Sequence, residues 1–359
     1  MTTKKSANLA VLITGGAGFL GRALVGELLK KDGASLSPDR IRILDSKPPS
    51  WDHDGRVIFM KGDIRSPEDL DRACRGVDLV YHCAAAIDWG QRPRSFLYGV
   101  NVNGTANVIA ATARCGARGL VYTSTMDVIY DGGAIVDGDE TIPYPAKFTM
   151  TYAETKAIAE QEVLRANGME RPSAPPLKTC VIRPCGMFGE ADPYHVSSCL
   201  KMAQSGRLAF RIGSGRALFQ HVYVGNVAHA HVLAGKSLME KDGAASGNVY
   251  FITDFKAKNF FDYMEPILEG IGSPMPPRSR SVPMPVMYAL GVLCEGASWL
   301  CRPFVRLAPV ISRTSVNMVC KDFTFKSEKA ASDLGYRPLY TEEEAIARTV
   351  SYFRANGPV

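Results

Sequence analysis

The chain has 359 residues, enough to bury a large core, and 46% of them are hydrophobic. Its 42 basic and 36 acidic side chains are interspersed, leaving a net charge of +6 without a long basic run, which argues against nucleic-acid binding. Nine cysteines, an odd number with no Cys-x-x-Cys pair, argue against a disulfide framework and for free thiols in a reducing compartment.

The first eight residues run straight into Leu9-Ala10-Val11-Leu12-Ile13, an apolar stretch too short for a signal peptide, so a cytoplasmic protein is expected. That stretch reads as a strand. Residues 22–31 read as a helix, with Ala23, Leu24, Leu28 and Leu29 at helical spacing. Between them lies Thr14-Gly15-Gly16-Ala17-Gly18-Phe19-Leu20-Gly21. Gly15 and Gly16 permit a turn that a Cβ would obstruct, Gly18 admits the backbone to a pyrophosphate, and Gly21 lets the helix approach the sheet. The helix N-terminus then faces a dianion, and Phe19 and Leu20 in the run join the glycines as expected cofactor-binding residues. The next strand, 40–44, ends at Asp45, placed to accept hydrogen bonds from adenosine ribose hydroxyls and to repel a 2′-phosphate. NAD(H) is therefore expected in preference to NADP(H), which Arg42 and Lys47 nearby would favour.

Further strands are expected at 57–60, 79–82, 120–123 and 179–182, and helices at 67–74, 100–115 and 152–167. Their alternation predicts an α/β fold with a Rossmann-type doubly wound parallel sheet, in which ligands sit at the carboxyl ends of the strands. Those ends carry Asp63 and Ile64 after the third strand, Cys83, Ala84 and Ala85 after the fourth, and Thr123-Ser124-Thr125 after the fifth. With Pro184 after 179–182, they complete the expected cofactor-binding set. The dinucleotide-binding domain is placed at 1–190. A smaller substrate lobe is placed at 191–359, with segments returning to the first domain and proline-rich connections at 171–176 and 273–285.

Removing hydride from a secondary alcohol requires a base for the hydroxyl proton, and a phenol with a pKa of about 10 is too weak at neutral pH. Tyr152 and Lys156 are one helical turn apart on a shared face. A cation roughly 4 Å from the phenol would lower its pKa by up to about 3 units at an effective dielectric of about 20. The same lysine can hold the nicotinamide ribose. A hydroxyl at the end of the fifth strand, Thr125 first and Ser124 second, would orient the substrate oxygen.

Taken with His221-Val222-Tyr223-Val224-Gly225-Asn226, Arg183-Pro184, Phe188-Gly189-Glu190 and the tail motifs at 323–329 and 334–340, these features resemble an extended short-chain dehydrogenase/reductase, nearest the 3β-hydroxysteroid dehydrogenase family. The resemblance covers nearly the whole chain. It implies NAD-linked oxidation of a steroid or sterol 3β-hydroxyl, with Tyr152 as acid/base and Lys156 as its helper. Family members that also isomerise the double bond carry paired aspartates where Thr253-Asp254-Phe255 keeps one, which places isomerase activity in doubt. Alternatives are a sterol-4α-carboxylate 3-dehydrogenase, a long-chain β-keto acid reductase, or a dinucleotide sensor without catalysis. Intact Tyr152 and Lys156 argue against the last. Each enzyme reading implies a lipophilic substrate, with a wall drawn from Met126, Met187, Tyr194 and Phe219.

Residues 286–301 are apolar on nearly every side except at Glu295, and are shorter than the roughly 20 residues of a membrane span. They read either as a helix covering the substrate cavity or as a peripheral membrane anchor, with Trp299, Arg302 and Arg306 at the interface. Helices 100–115 and 152–166 carry apolar surface for a homodimer. The six histidines, His82, His229 and His231 among them, have no metal-ligand spacing, so no metal is expected. Asn101 matches an asparagine that shapes the active-site helix in related enzymes, and it reads equally well as a helix-start residue.

Overall fold

The structure, a computed structural model, describes residues 9–30, 36–88, 92–301 and 311–359. The first eight residues, Lys31, Arg302 and Arg306 lie outside the described residues. Strand and helix alternate from the start: β1 (Ala10–Thr14), α1 (Phe19–Leu29), β2 (Arg40–Asp45), β3 (Val57–Lys61), α2 (Pro67–Cys74) and β4 (Leu79–His82). A short α3 (Arg94–Leu97) and a π-helical stretch (Tyr98–Asn103) lead into α4 (Gly104–Arg114) and β5 (Gly119–Thr123). Then come a 3-10 turn (Met126–Ile129), β6 (Ile135–Gly138), α5 (Thr151–Arg165), β7 (Met169–Arg171) and β8 (Ala174–Pro184). The later half holds β9 (Gly186–Phe188), α6 (Val196–Gln204), β10 (Arg211–Ile212), β11 (His221–Tyr223), α7 (Val224–Met239), β12 (Val249–Ile252) and α8 (Phe260–Ile271). It ends with β13 (Ser281–Val282), α9 (Met284–Cys301), α10 (Arg313–Cys320), β14 (Phe323–Phe325), α11 (Glu328–Leu334) and α12 (Glu342–Asn356).

The main sheet runs β12-β8-β5-β4-β1-β2-β3, all parallel, with β7 added antiparallel to β8. Its central strands β1, β4 and β5 are buried at every position because both faces are covered. Along β1, Val11 and Ile13 enter the core shared with α1 and α7, while Leu12 enters the core shared with α2, α4 and α5. Strand order reverses between β1 and β4, which opens the crevice where such sheets take ligands.

Three features differ from the sequence expectation. Helix α1 begins at Phe19 rather than 22, because Gly18 is already its N-cap. The 100–115 helix is π-wound over its first part, and the extra residue per turn turns Asn101 inward. Helix α9 is 18 residues long, the one helix among the described residues long and apolar enough to cross a membrane by length and composition. Only Met287 and Gly291 of it are buried. One side, through Tyr288 and Val292, lines a cavity against residues 130–132, 147–149 and α10. Leu293, Trp299 and Leu300 stand 69%, 68% and 67% exposed.

Candidate active site

A cavity of about 390 Å³ follows the crevice. The glycine turn forms its floor: Gly15 takes φ +71°, and its amide donates to the Leu44 carbonyl at 2.8 Å, locking the turn onto β2. A Cβ on Gly21 would lie 2.3 Å from the Gly15 carbonyl oxygen, so only glycine lets α1 start this close. Gly18 offers no side chain to the first amides of α1, which leaves them to an anion. Asp45 reaches the same cavity and accepts from the Ala17 amide at 3.2 Å.

Gly15, Gly18, Phe19, Leu20, Gly21, Asp45, Asp63, Ile64, Cys83, Ala84, Ala85, Ser124, Tyr152 and Lys156 all line this cavity. The Asp63 carboxylate is held by Arg65 at 2.6 Å, which keeps it below the usual carboxylate range. These walls, an anion-seeking helix start beside a carboxylate, fit a dinucleotide. Pro184 does not line the cavity: it pairs in register with Ile252, and its ring is buried in the sheet.

Tyr152 and Lys156 project from the first turns of α5, both buried. The predicted depression of the phenol by the lysine is not what this arrangement gives. Burial, then the charges of Asp127 and Tyr194, push Tyr152 well above its ordinary value, against the opposing pull of a hydrogen bond with Thr125. The Lys156 ammonium is engaged elsewhere. It donates to the Thr123 carbonyl at 2.6 Å and lies over the Tyr122 ring, 4.1 Å from its centroid. Burial brings Lys156 itself down to about 7, with Glu160 and Cys83 opposing.

The two hydroxyls of the cluster part ways. Ser124 donates to the fully buried Glu160. Thr125 stands in hydrogen-bonding contact with Tyr152 and donates to the Asp127 carboxylate at 2.9 Å. Glu160 also accepts from Tyr144 Oη at 2.8 Å and from Arg183 through Nε and Nη2, the latter at 2.6 Å, tying α5, β8 and the end of β5 together.

Of the expected substrate wall, Met187 and Tyr194 line the cavity. Met126 and Phe219 are core residues instead: the Phe219 ring fills the space a Cβ of Gly186 would take, because β11 pairs with β9 there. Asn101 is no helix-start residue. Its Oδ1 accepts from the Ala86 amide at 2.8 Å, and its Nδ2 donates to the Ala86 carbonyl and to Thr155 Oγ1, both at 3.0 Å, so it clips the cavity wall to α5. His82 bridges Thr14 and Thr105, and His231 bonds Thr123 and the Val227 carbonyl. Burial depresses them to about 3 and about 4, keeping both neutral. Asp254 accepts from the amides of Tyr223 and Phe255 and from Asn226, and burial pushes it up to about 6. It is a clamp remote from the cavity lining.

Sequence reasoning missed four residues. Glu160 lies one turn beyond Lys156 on the same helix face, a spacing that could have flagged it. Asp127 follows Thr125 by two residues but looks like an ordinary turn aspartate. Arg92 and Phe96, stacked at 4.7 Å on the cavity rim, come from the start of α3 and the residues just before it, a segment without a motif.

Residues 12–284 match the 3-beta hydroxysteroid dehydrogenase/isomerase family. The chain is 34% identical over 359 residues to 3beta-hydroxysteroid-dehydrogenase/decarboxylase isoform 1 of Arabidopsis thaliana, covering 95% of this chain and 79% of that protein. It is 33% identical over 368 residues to short-chain dehydrogenase/reductase family 42E member 1 of Homo sapiens, covering 99% and 90%. It is likewise 33% identical over 354 residues to a 3-beta-hydroxysteroid dehydrogenase of Mycolicibacterium neoaurum, covering 96% and 91%. Among solved structures, dTDP-glucose 4,6-dehydratase DesIV of Streptomyces venezuelae superposes with a TM-score of 0.71 at 23% identity, covering 97% of this chain and 98% of that one. At that identity the likeness shows the fold.

Proposed function

Because the chain belongs to the 3-beta hydroxysteroid dehydrogenase/isomerase family, we propose that it oxidises the 3β-hydroxyl of a steroid or sterol to the 3-ketone with NAD. It is an NAD(P)-dependent oxidoreductase acting on CH–OH groups. The observation that carries the finer reading is the meeting of Tyr152, Lys156 and the glycine turn on one cavity, with Thr125 behind the phenol. NAD, when bound, supplies the hydride acceptor for the carbinol carbon. The chain's own residues handle the proton: Tyr152 Oη is assigned to accept it from the substrate oxygen, for which the phenol must first lose its own proton, and the positive nicotinamide ring of bound NAD would oppose the upward push that burial gives the phenol here. Lys156 is assigned to the ribose hydroxyls and Asp45 to the adenosine ribose, which favours NAD over NADP.

A second reading, oxidation of a 3β-hydroxy-4α-carboxylate followed by loss of carbon dioxide from the β-keto acid, is favoured by the Arabidopsis relatives named dehydrogenase/decarboxylase. Arg92 on the cavity rim, close enough to Tyr194 to act on its charge, is the cation such a carboxylate would meet. Isomerisation is not proposed, since Asp254 is bound up in backbone contacts. The exposed side of α9 is assigned to the cytoplasmic face of a membrane, from which a lipophilic substrate would enter. A homodimer through α4 and α5 remains part of the proposal.

The test is NADH formation with a saturated 3β-hydroxysteroid, a 3β-hydroxy-5-ene steroid, a sterol with and without a 4α-carboxylate, and a long-chain β-hydroxy acid. Turnover of the simple steroids supports the first reading, and turnover of the carboxylate alone the second. Turnover of the acyl substrate alone, or of none, overturns both. Tyr152→Phe is expected to abolish turnover with NADH binding retained.

A further inference from the structure

A cavity of about 1400 Å³ lies under α9, apart from the cofactor crevice. Its walls are α9, α10 and the segments 130–132 and 147–149, with Phe148, Tyr288, Ala289, Val292 and Leu293 as apolar sides. Most of the charges around it are engaged by the protein itself. Arg313 Nε meets Glu295 at 2.6 Å, Lys321 donates to the Gly132 carbonyl at 2.7 Å, and Asp131 accepts from the Gly133 amide at 2.7 Å, while Lys147 stands exposed at the rim.

Position says what such a cavity can hold. Leu293 belongs both to its wall and to the outer side of α9, where it is 69% exposed, and Leu300 follows at helical spacing on that same side. The cavity therefore opens on the apolar face of α9. Its other walls come from the segments that carry the reacting groups. Thr149 precedes Tyr152 by three residues, so their Cα atoms lie at most about 11 Å apart. The Tyr130 amide donates to the Asp127 carbonyl at 3.0 Å, in the turn that follows Ser124. A volume above the roughly 300–1,000 Å³ of ordinary small-molecule sites leaves room for a fused-ring skeleton with its side chain.

We propose that this cavity receives the hydrocarbon body of the substrate, a fused-ring alcohol that enters from a lipid phase along α9 and extends its hydroxyl to Tyr152. The inference rests on the steroid or sterol reading above. Met187 and Tyr194, which line the cofactor crevice, then border the reacting end alone. Ala289 and Val292, three residues apart on α9, mark the side of the helix that faces the ligand.

The test uses the full chain with detergent-dispersed steroid, so that no membrane is needed. A saturated 3β-hydroxysteroid carrying a diazirine at the end of its side chain is irradiated on NADH-loaded enzyme, and the labelled peptides are mapped by mass spectrometry. Labelling within 284–295 or 147–149, competed away by the unmodified steroid, is the expected result. Competed labelling confined to other segments overturns the proposal and leaves the steroid reading standing; no competed labelling anywhere overturns both. Ala289→Trp and Val292→Trp fill the cavity and are expected to lower kcat/KM for the steroid at least about tenfold, through KM more than kcat, with NADH Kd changed by less than about twofold. A kcat/KM kept within about twofold in both variants, or a loss matched by an equal loss of NADH affinity, counts against the proposal and sinks it. Should the tryptophan variants not fold, the labelling of the wild-type chain decides alone.

Discussion

Replacing Glu160 by glutamine removes one charge from the most deeply buried ion pair described, whose side chains are 0% and 4% exposed. The isostere keeps the shape but leaves the Arg183 guanidinium uncompensated inside the fold, and its Nη1 already has no hydrogen-bond partner. Breaking one side of a buried pair costs about 3–5 kcal/mol, a large part of a typical stability of about 5–15 kcal/mol. At roughly 2 °C per kcal/mol for a chain of this size, Tm should fall by about 6–10 °C. The assay is urea and thermal unfolding followed by circular dichroism for Glu160→Gln, Arg183→Met and the double variant Glu160→Met/Arg183→Met. The double variant, an apolar pair of similar volume, should recover most of the loss. A single-variant cost under about 1 kcal/mol, or a double-variant cost equal to the sum of the singles, would refute the reasoning. Because Ser124 also donates to Glu160, the single variants should weaken NADH binding beyond what their lower stability explains.

Gly21→Ala would set a Cβ 2.3 Å from the Gly15 oxygen and 2.6 Å from Gly16 Cα. The turn must shift, and NADH affinity measured by fluorescence titration should drop about 10- to 100-fold with far-UV circular dichroism unchanged. Lys156 is depressed from 10.5 to about 7, so it loses its charge as pH rises through about 7. NADH affinity should weaken across that range, and Lys156→Arg, which keeps its charge, should flatten the profile. The linked stability has the opposite slope: the folded state binds fewer protons than the unfolded one between about 7 and 10.5, so unfolding free energy contributed by Lys156 rises with pH in that window. On α9, Leu293→Ser/Trp299→Ser/Leu300→Ser should abolish flotation with liposomes while leaving NADH affinity intact, and persistent flotation would count against a membrane role.

The parallel sheet was legible because strands covered on both faces read as largely apolar runs, as Leu79–Tyr81 does. The lining of the crevice was legible for a related reason: a glycine turn and a strand-end carboxylate are local features, fixed by a few neighbouring residues. What escaped depends on partners distant in sequence. Glu160 gains its role from Arg183 and Ser124, which chain spacing does not bring together. Asn101 took an inward path because the helix around it is π-wound, and no residue type announces that. Lys156 pointed to Tyr152 by helical spacing, yet the carbonyl of Thr123 on the neighbouring strand captures its ammonium, a tertiary competitor invisible to periodicity. Phe219 looked like a substrate wall only because nothing in its own segment reveals the gap above Gly186.

Strand β12 comes from residues 249–252 yet hydrogen-bonds to β8 in the main sheet, and α7 before it seals one face of β5 and β8. A fragment ending near residue 190 would leave Val181 to Pro184 as a bare sheet edge, prone to pairing with other copies. The main sheet is thus completed from the later half of the chain rather than built from the first half alone. A chimera built to change substrate preference must keep 224–252 with the parent sheet and graft only what lies beyond it, and a clean two-piece exchange at 190 should yield aggregates.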